Sequence, residues 1–148
     1  MIAGGCRCGA VRYTIAGDDL PLSYACHCHV CQRWTGSAFS QSVIVAEGTL
    51  TVDGPLVVYD QVTEDRVSTQ RVCATCHARI YNTNTRRPGF AVVRAGTLDR
   101  SEELACVAHI FTAYRQRWVA IPEGVPNWPE APDFEVFGRV LAGQTALR

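Results

Sequence analysis

The chain has 148 residues, 47% of them hydrophobic and 19% charged, with a formal net charge of zero. It is long enough to bury a core and too apolar to be disordered. It has no run of like charges, so it lacks the basic stripe of a nucleic-acid binder, and nucleic acid is not an expected partner.

In chain order, β-branched or alternating stretches predict strands at Ala10–Ile15, Phe39–Ala46, Leu56–Asp60, Arg66–Val72, Arg79–Asn82, Phe90–Gly96 and Cys106–Thr112. Gly, Pro and Asp signals separate them, at Ala16-Gly17-Asp18, Asp53-Gly54-Pro55 and Pro88-Gly89. A short helix is expected from about His29 to Trp34, stopped by Gly36, and a turn at Leu98-Asp99. Pro122 to Pro132 holds four prolines in eleven residues and reads as irregular chain lying on the surface. The last sixteen residues read as strand or helix.

No internal repeat and no second domain is visible. The expectation is a single domain over 1–148, with its core at about 4–132 and a C-terminal extension at 133–148. Its fold class is mainly β, with several small antiparallel sheets and few short helices. No apolar run approaches the roughly 18 residues of a membrane span. The opening "MIAGGC" has neither the basic nor the apolar region of a secretory signal. A cytoplasmic location is therefore expected, where thiols stay reduced. A symmetric homodimer is the default oligomer.

The eight cysteines fall as Cys6-x-Cys8, Cys26-x-Cys28-x-x-Cys31, Cys73-x-x-Cys76 and a solitary Cys106. In a reducing compartment such spacing points to metal. Tetrahedral zinc, with Zn–S about 2.3 Å, needs sulfurs roughly 3.8 Å apart. A pair separated by two residues meets this around a tight turn, and a Cys-x-Cys pair needs a local bend, which Gly4, Gly5 and Gly9 can supply.

Seven cysteines then divide as four and three. Cys6 and Cys8 pair with Cys73 and Cys76 in a closed structural zinc site. Cys26, Cys28 and Cys31 stay together on one loop, and three ligands with one open position is the pattern of a catalytic or substrate-binding zinc. Two alternatives stand beside this: His27, His29 or His109 closes the second site and makes it structural, or Cys26 and Cys31 join as a disulfide on purification. His77 and Cys106 read as packing or surface residues.

A zinc held by three thiolates is soft and suits a substrate sulfur. Arg33, and also Arg7 or Arg12, can balance charge or hold a substrate carboxylate, although a solvated surface arginine is the ordinary case. His27, His29, Ser37 and Tyr24 are the local candidates for a proton donor.

The strings "GGCRCGAVRY", "CHCHVCQRWTGSAF", "CATCHARIY" and "RAGTLD", then "HIF" ahead of Trp118 and a proline-rich tail, resemble in that order the glutathione-dependent formaldehyde-activating enzyme family, or CENP-V/GFA domain. The resemblance spans about Gly4 to Pro132. It implies an Mss4-like β fold with two zinc positions, Cys6, Cys8, Cys73 and Cys76 at the structural zinc and Cys26, Cys28 and Cys31 at the functional one. It also implies a carbon–sulfur lyase type of activity, the reversible addition of glutathione to formaldehyde giving S-hydroxymethylglutathione. A non-catalytic thiol-binding or protein-interaction module on the same fold is the alternative. One departure stands out: the family's Cys-x-x-Cys-Gly knuckle has His77 at the glycine position. Glycine tolerates positive φ there and histidine does so less readily, so the knuckle is expected to survive with some remodelling.

Overall fold

The structure is a computed structural model and describes residues 1–144. Among these the chain is mainly β, with ten strands in two sheets. The strands are β1 (Ile2–Gly5), β2 (Arg12–Ile15), β3 (Ser23–Cys26), β4 (Ser40–Ala46) and β5 (Leu50–Asp53), then β6 (Leu56–Val62), β7 (Val67–Cys73), β8 (Arg79–Asn84), β9 (Phe90–Arg94) and β10 (Cys106–Ile110). Two α-helices accompany them, α1 (His29–Thr35) and α2 (Phe134–Leu141), besides short 3₁₀ turns. The chain divides into two compact units. One holds Met1–Leu20 and Val43–Glu103, and the other holds Pro21–Ser42 and the segment from Leu104.

In the first unit β1, β2 and β5 form an antiparallel sheet in that order, with Gly4 opposite Tyr13 and Thr14 opposite Thr51. The two-residue period of β2 buries Tyr13 and Ile15 and leaves Arg12 exposed. Gly4 is required by close approach, because a Cβ there would lie 2.3 Å from the Tyr13 ring and 2.6 Å from the Thr97 carbonyl oxygen. The antiparallel run β9-β8-β7-β6 buries Val72, Cys73, Ile80, Ala91 and Val93.

In the second unit β10 pairs with β3 in parallel, His109 opposite Ala25 and Ile110 opposite Cys26. A parallel pair needs a long connection, and here the two strands come from the unit's two distant chain segments. The proline-rich segment lies along β10: His109 N–H donates to Pro126 O at 3.0 Å and Trp128 N–H to His109 O at 3.0 Å. Asp133 caps α2 by accepting from the N–H groups of Glu135 and Val136. The buried face of α2 sends Phe137 edge-on to Tyr24 and Trp128, at 5.0 and 6.0 Å between ring centroids.

The seven expected strands and the helix at His29 all form, with ends moved by one or two residues. The expected extension resolves into helix α2, and residues 145–148 of it lie outside the described residues. Strands β1, β3 and β5 were not expected. Each has four residues, too few to show a period, and half of β1 is glycine.

Two cysteine clusters as candidate metal centres

The first cluster is built on two tight turns of the first unit. After β1 the chain folds back so that Cys6 N–H donates to Val11 O at 3.0 Å and Gly9 N–H to Cys6 O at 3.2 Å. After β7 the knuckle closes with Cys73 N–H on Ala78 O at 2.9 Å and His77 N–H on Cys73 O at 3.0 Å. His77 occupies the left-handed region at φ 58°, so the backbone keeps the glycine-type turn with a histidine in it.

These turns bring Cys6, Cys8, Cys73 and Cys76 together, with all four sulfurs within 4.8 Å of one another. Cys6 and Cys8 sulfurs are 3.5 Å apart and those of Cys8 and Cys73 are 3.8 Å apart, near the spacing that tetrahedral zinc imposes. None of the four is in a disulfide. Backbone N–H groups already point at the sulfurs, Val11 to Cys6 at 3.2 Å and Thr75 to Cys73 at 3.4 Å. Burial opposes ionisation of Cys6, yet the Val11 N–H and the neighbouring thiols bring it down to about 6. The Ala10 N–H pulls Cys8 downward, but hydrogen bonding among the thiols leaves it at about 11. Four sulfurs at this spacing can ionise together only around a cation, so the donor set fits zinc.

The second cluster lies wholly in the second unit. Cys26 ends β3, Cys28 caps α1, and Cys31 sits in the helix's first turn with its N–H on Cys28 Sγ at 3.4 Å. Gly36, at φ 63°, ends the helix and donates its N–H to Gln32 O. The sulfurs of Cys26, Cys28 and Cys31 lie within 4.8 Å of one another. Mutual hydrogen bonding drives Cys28 well below the usual thiol range and Cys26 well above it. A set of three soft donors also fits zinc.

Among the described residues no fourth Cys, His, Asp or Glu joins this trio. His27 turns Nε2 to His109 Nδ1 at 2.9 Å, and its Nδ1 has no hydrogen-bond partner among the described residues. His29 packs against the Tyr114 ring, with centroids 5.0 Å apart. His109 directs Nε2 toward Cys106 Sγ at 4.0 Å. Tyr24 is buried against Phe137, and Arg12 is committed to Asp99 in the first unit.

Gln32, Gln116 and Trp118 form a further hydrogen-bonded chain that starts on α1. Gln32 donates through Nε2 to His27 O at 2.6 Å and to Tyr114 O at 3.0 Å, tying α1 to the chain after β10. Gln116 Nε2 donates to Gln32 Oε1 at 3.4 Å, and Trp118 Nε1 donates to Gln116 Oε1 at 2.7 Å. The two amides, Gln32 and Gln116, carry no spacing signature, so only their proximity reveals them.

The profile of the family described as "Glutathione-dependent formaldehyde-activating enzyme" matches residues 1–114. This chain belongs to that family. The matched stretch contains all seven clustered cysteines of this family member, and Gln116 and Trp118 fall beyond it. A Rhodobacter sphaeroides protein of known crystal structure is similar with a TM-score of 0.52 at 20% identity, over 66% of this chain and 88% of that one. At that identity the likeness is one of fold. No curated protein sequence matches the chain.

Proposed function

We propose that this protein is a zinc-dependent carbon–sulfur lyase-type enzyme for a small thiol adduct, such as glutathione plus formaldehyde giving S-hydroxymethylglutathione. Cys6, Cys8, Cys73 and Cys76 hold a structural zinc, and Cys26, Cys28 and Cys31 hold a second one. The observation that carries this reading is the trio itself, three sulfurs converged on one loop with no fourth protein ligand among the described residues. Three protein ligands and one open position suit a substrate.

When bound, zinc would supply a soft Lewis-acid position suited to a thiolate. The chain's own residues set the loop around it. His27 N–H is anchored on Ile110 O at 3.0 Å, and Gln32 holds the His27 carbonyl, so both sides of the loop are fixed before any ligand arrives. The addition forms one C–S bond and breaks the carbonyl π bond, whose electron pair goes to the aldehyde oxygen, where the thiol proton also ends. With a thiol pKa near 8.5, about 3% is ionised at pH 7, so full ionisation gains at most about 30-fold, or roughly 2 kcal/mol. The remainder must come from holding thiol and aldehyde together. Clustered cysteines at metal-ligand spacing suit a reducing compartment, and the proposed location is the cytoplasm.

The test is exchange NMR of glutathione with formaldehyde on the zinc-loaded chain. The expected result is exchange well above the uncatalysed rate, lost in Cys28→Ser while the fold persists. Exchange at the uncatalysed rate in the unaltered protein would overturn the lyase reading and leave a thiol-binding module.

A further inference from the structure

Strand β6 is the outer strand of the antiparallel run β9-β8-β7-β6, and it is exposed along most of its length. Val57 and Tyr59 lie on one face, Val58 and Val62 lie on the other, and all four are exposed, Val62 at 74%. Large apolar side chains gathered on one exposed strand mark a contact surface.

Sheet edges are ordinarily blunted by lysine, proline, a bulge or a covering segment. The chain contains no lysine, and residues 56–62 contain no proline. The pairing with β7 runs without a shift, from Leu56 opposite Cys73 to Val62 opposite Val67. The proline-rich segment covers β10, whereas among the described residues no backbone hydrogen bond reaches β6 from beyond β7. The edge of β6 is open.

The direction of its free groups follows from the register. Pro55 O accepts from Ala74 N–H at 2.9 Å, and Thr63 N–H donates to Arg66 O at 2.9 Å. Hydrogen-bonded pairs alternate along an antiparallel ladder. Val57, Tyr59 and Gln61 therefore bond to β7, and Leu56, Val58, Asp60 and Val62 turn N–H and C=O outward.

A second copy of β6 fits this edge. Outward residues must face outward residues, and the two-fold axes that keep most of the strand paired lie at Val58, Tyr59 or Asp60. An axis at Asp60 sets two carboxylates directly opposite each other, which is unfavourable. An axis at Val58 leaves Gln61 and Val62 opposite Pro55 and Gly54 of the other copy. An axis at Tyr59 pairs all seven residues, with about eight backbone hydrogen bonds. Tyr59 then meets Tyr59 of the second copy, Leu56 faces Val62, and Val58 faces Asp60. Arg71 sits beside Val58 on β7, so each Asp60 gains a cationic residue two strand spacings away, about 10 Å.

We infer that β6 is a self-association edge: two copies of this chain pair their β6 strands antiparallel about Tyr59 and continue one sheet into the other. A seven-residue edge falls well short of the roughly 20–30 residues a side of a standard interface, so the dimer is reversible, with a Kd in the micromolar range. The inference rests on neither the zinc sites nor the lyase reading.

The test is sedimentation equilibrium of the zinc-loaded full chain from about 1 µM to about 1 mM, with amide exchange read by NMR. The mass should rise from monomer to dimer across this range. Exchange at the Val58 and Asp60 amides should slow as the dimer forms, while the Tyr59 and Gln61 amides stay protected throughout. Val58→Pro deletes an outward N–H and no bond to β7, so the fold should persist and the dimer should weaken about tenfold or more. Val58→Asp sets a carboxylate against Asp60 of the other copy and should weaken the dimer too. Val58→Lys sets a cation there and should tighten it, less so in high salt. A monomer at every concentration would overturn the proposal. So would a dimer whose Val58 and Asp60 amides exchange as fast as in the monomer, or equal weakening by Val58→Asp and Val58→Lys.

Discussion

His27 Nε2 and His109 Nδ1 meet at 2.9 Å, and both side chains are buried, although 82 residues separate them in sequence. One nitrogen must donate and the other accept, so each ring fixes the other's tautomer. The bond holds the residue between two cysteines of the trio. His109→Ala should lower stability by about 2–4 kcal/mol, from a new cavity and an orphaned buried nitrogen. In a double-mutant cycle with His27→Ala, chemical denaturation should show coupling of about 1–2 kcal/mol. Additive losses would mean that the contact contributes nothing of its own.

The two cysteine clusters should respond differently to loss of a ligand. Cys8 and Cys73 meet across 65 residues, so metal at the four-sulfur site closes a long loop, and its binding energy is folding energy. The trio closes six residues, and its metal adds little to folding. Metal analysis of protein purified without oxygen or chelator should find two zincs per chain. Cys31→Ser should hold one and melt near the parent temperature, and Cys73→Ser should hold at most one and lose most of its cooperative unfolding. Equal thermal damage from both variants would contradict this division.

His77 at φ 58° carries the strain of a left-handed residue with a Cβ, roughly 1–2 kcal/mol. Glycine relieves that strain and concedes about 0.5–1 kcal/mol of chain entropy. His77→Gly should therefore raise stability by up to about 1 kcal/mol, and the β-branched His77→Val should lower it. Thermal unfolding of the three proteins with zinc present decides the order.

Tyr13 is buried, and burial pushes its phenol up to about 12, although the 2.8 Å bond with Thr97 Oγ1 acts downward. A pKa raised above the unfolded value near 10 means a contribution that is complete below pH 10 and lost between pH 10 and 12. Tyr13→Phe lacks the bond, so at pH 8 it should be less stable by about 1 kcal/mol. Above pH 11 the order should reverse, because the parent protein alone must keep a buried phenol neutral, at a cost of about 2 kcal/mol. Urea titrations at pH 8 and pH 11.5 read the crossover.

The sequence by itself determined what local spacing and period encode. Cys-x-Cys and Cys-x-x-Cys spacings are properties of single turns, and they announced the four-and-three grouping that the sulfur positions show. The glycine-position reading of His77 was equally local, and its positive φ is the same turn seen in three dimensions. Gly36 marked the end of α1 because a left-handed cap favours glycine. The tertiary structure alone decided what depends on contacts across the chain. The parallel pairing of β10 with β3, the buried His27–His109 bond, and the Trp118-Gln116-Gln32 relay each join residues from the two separate segments of the second unit. Backbone pairing, amide hydrogen bonds and charge proximity have no fixed sequence offset, so no motif could have signalled them.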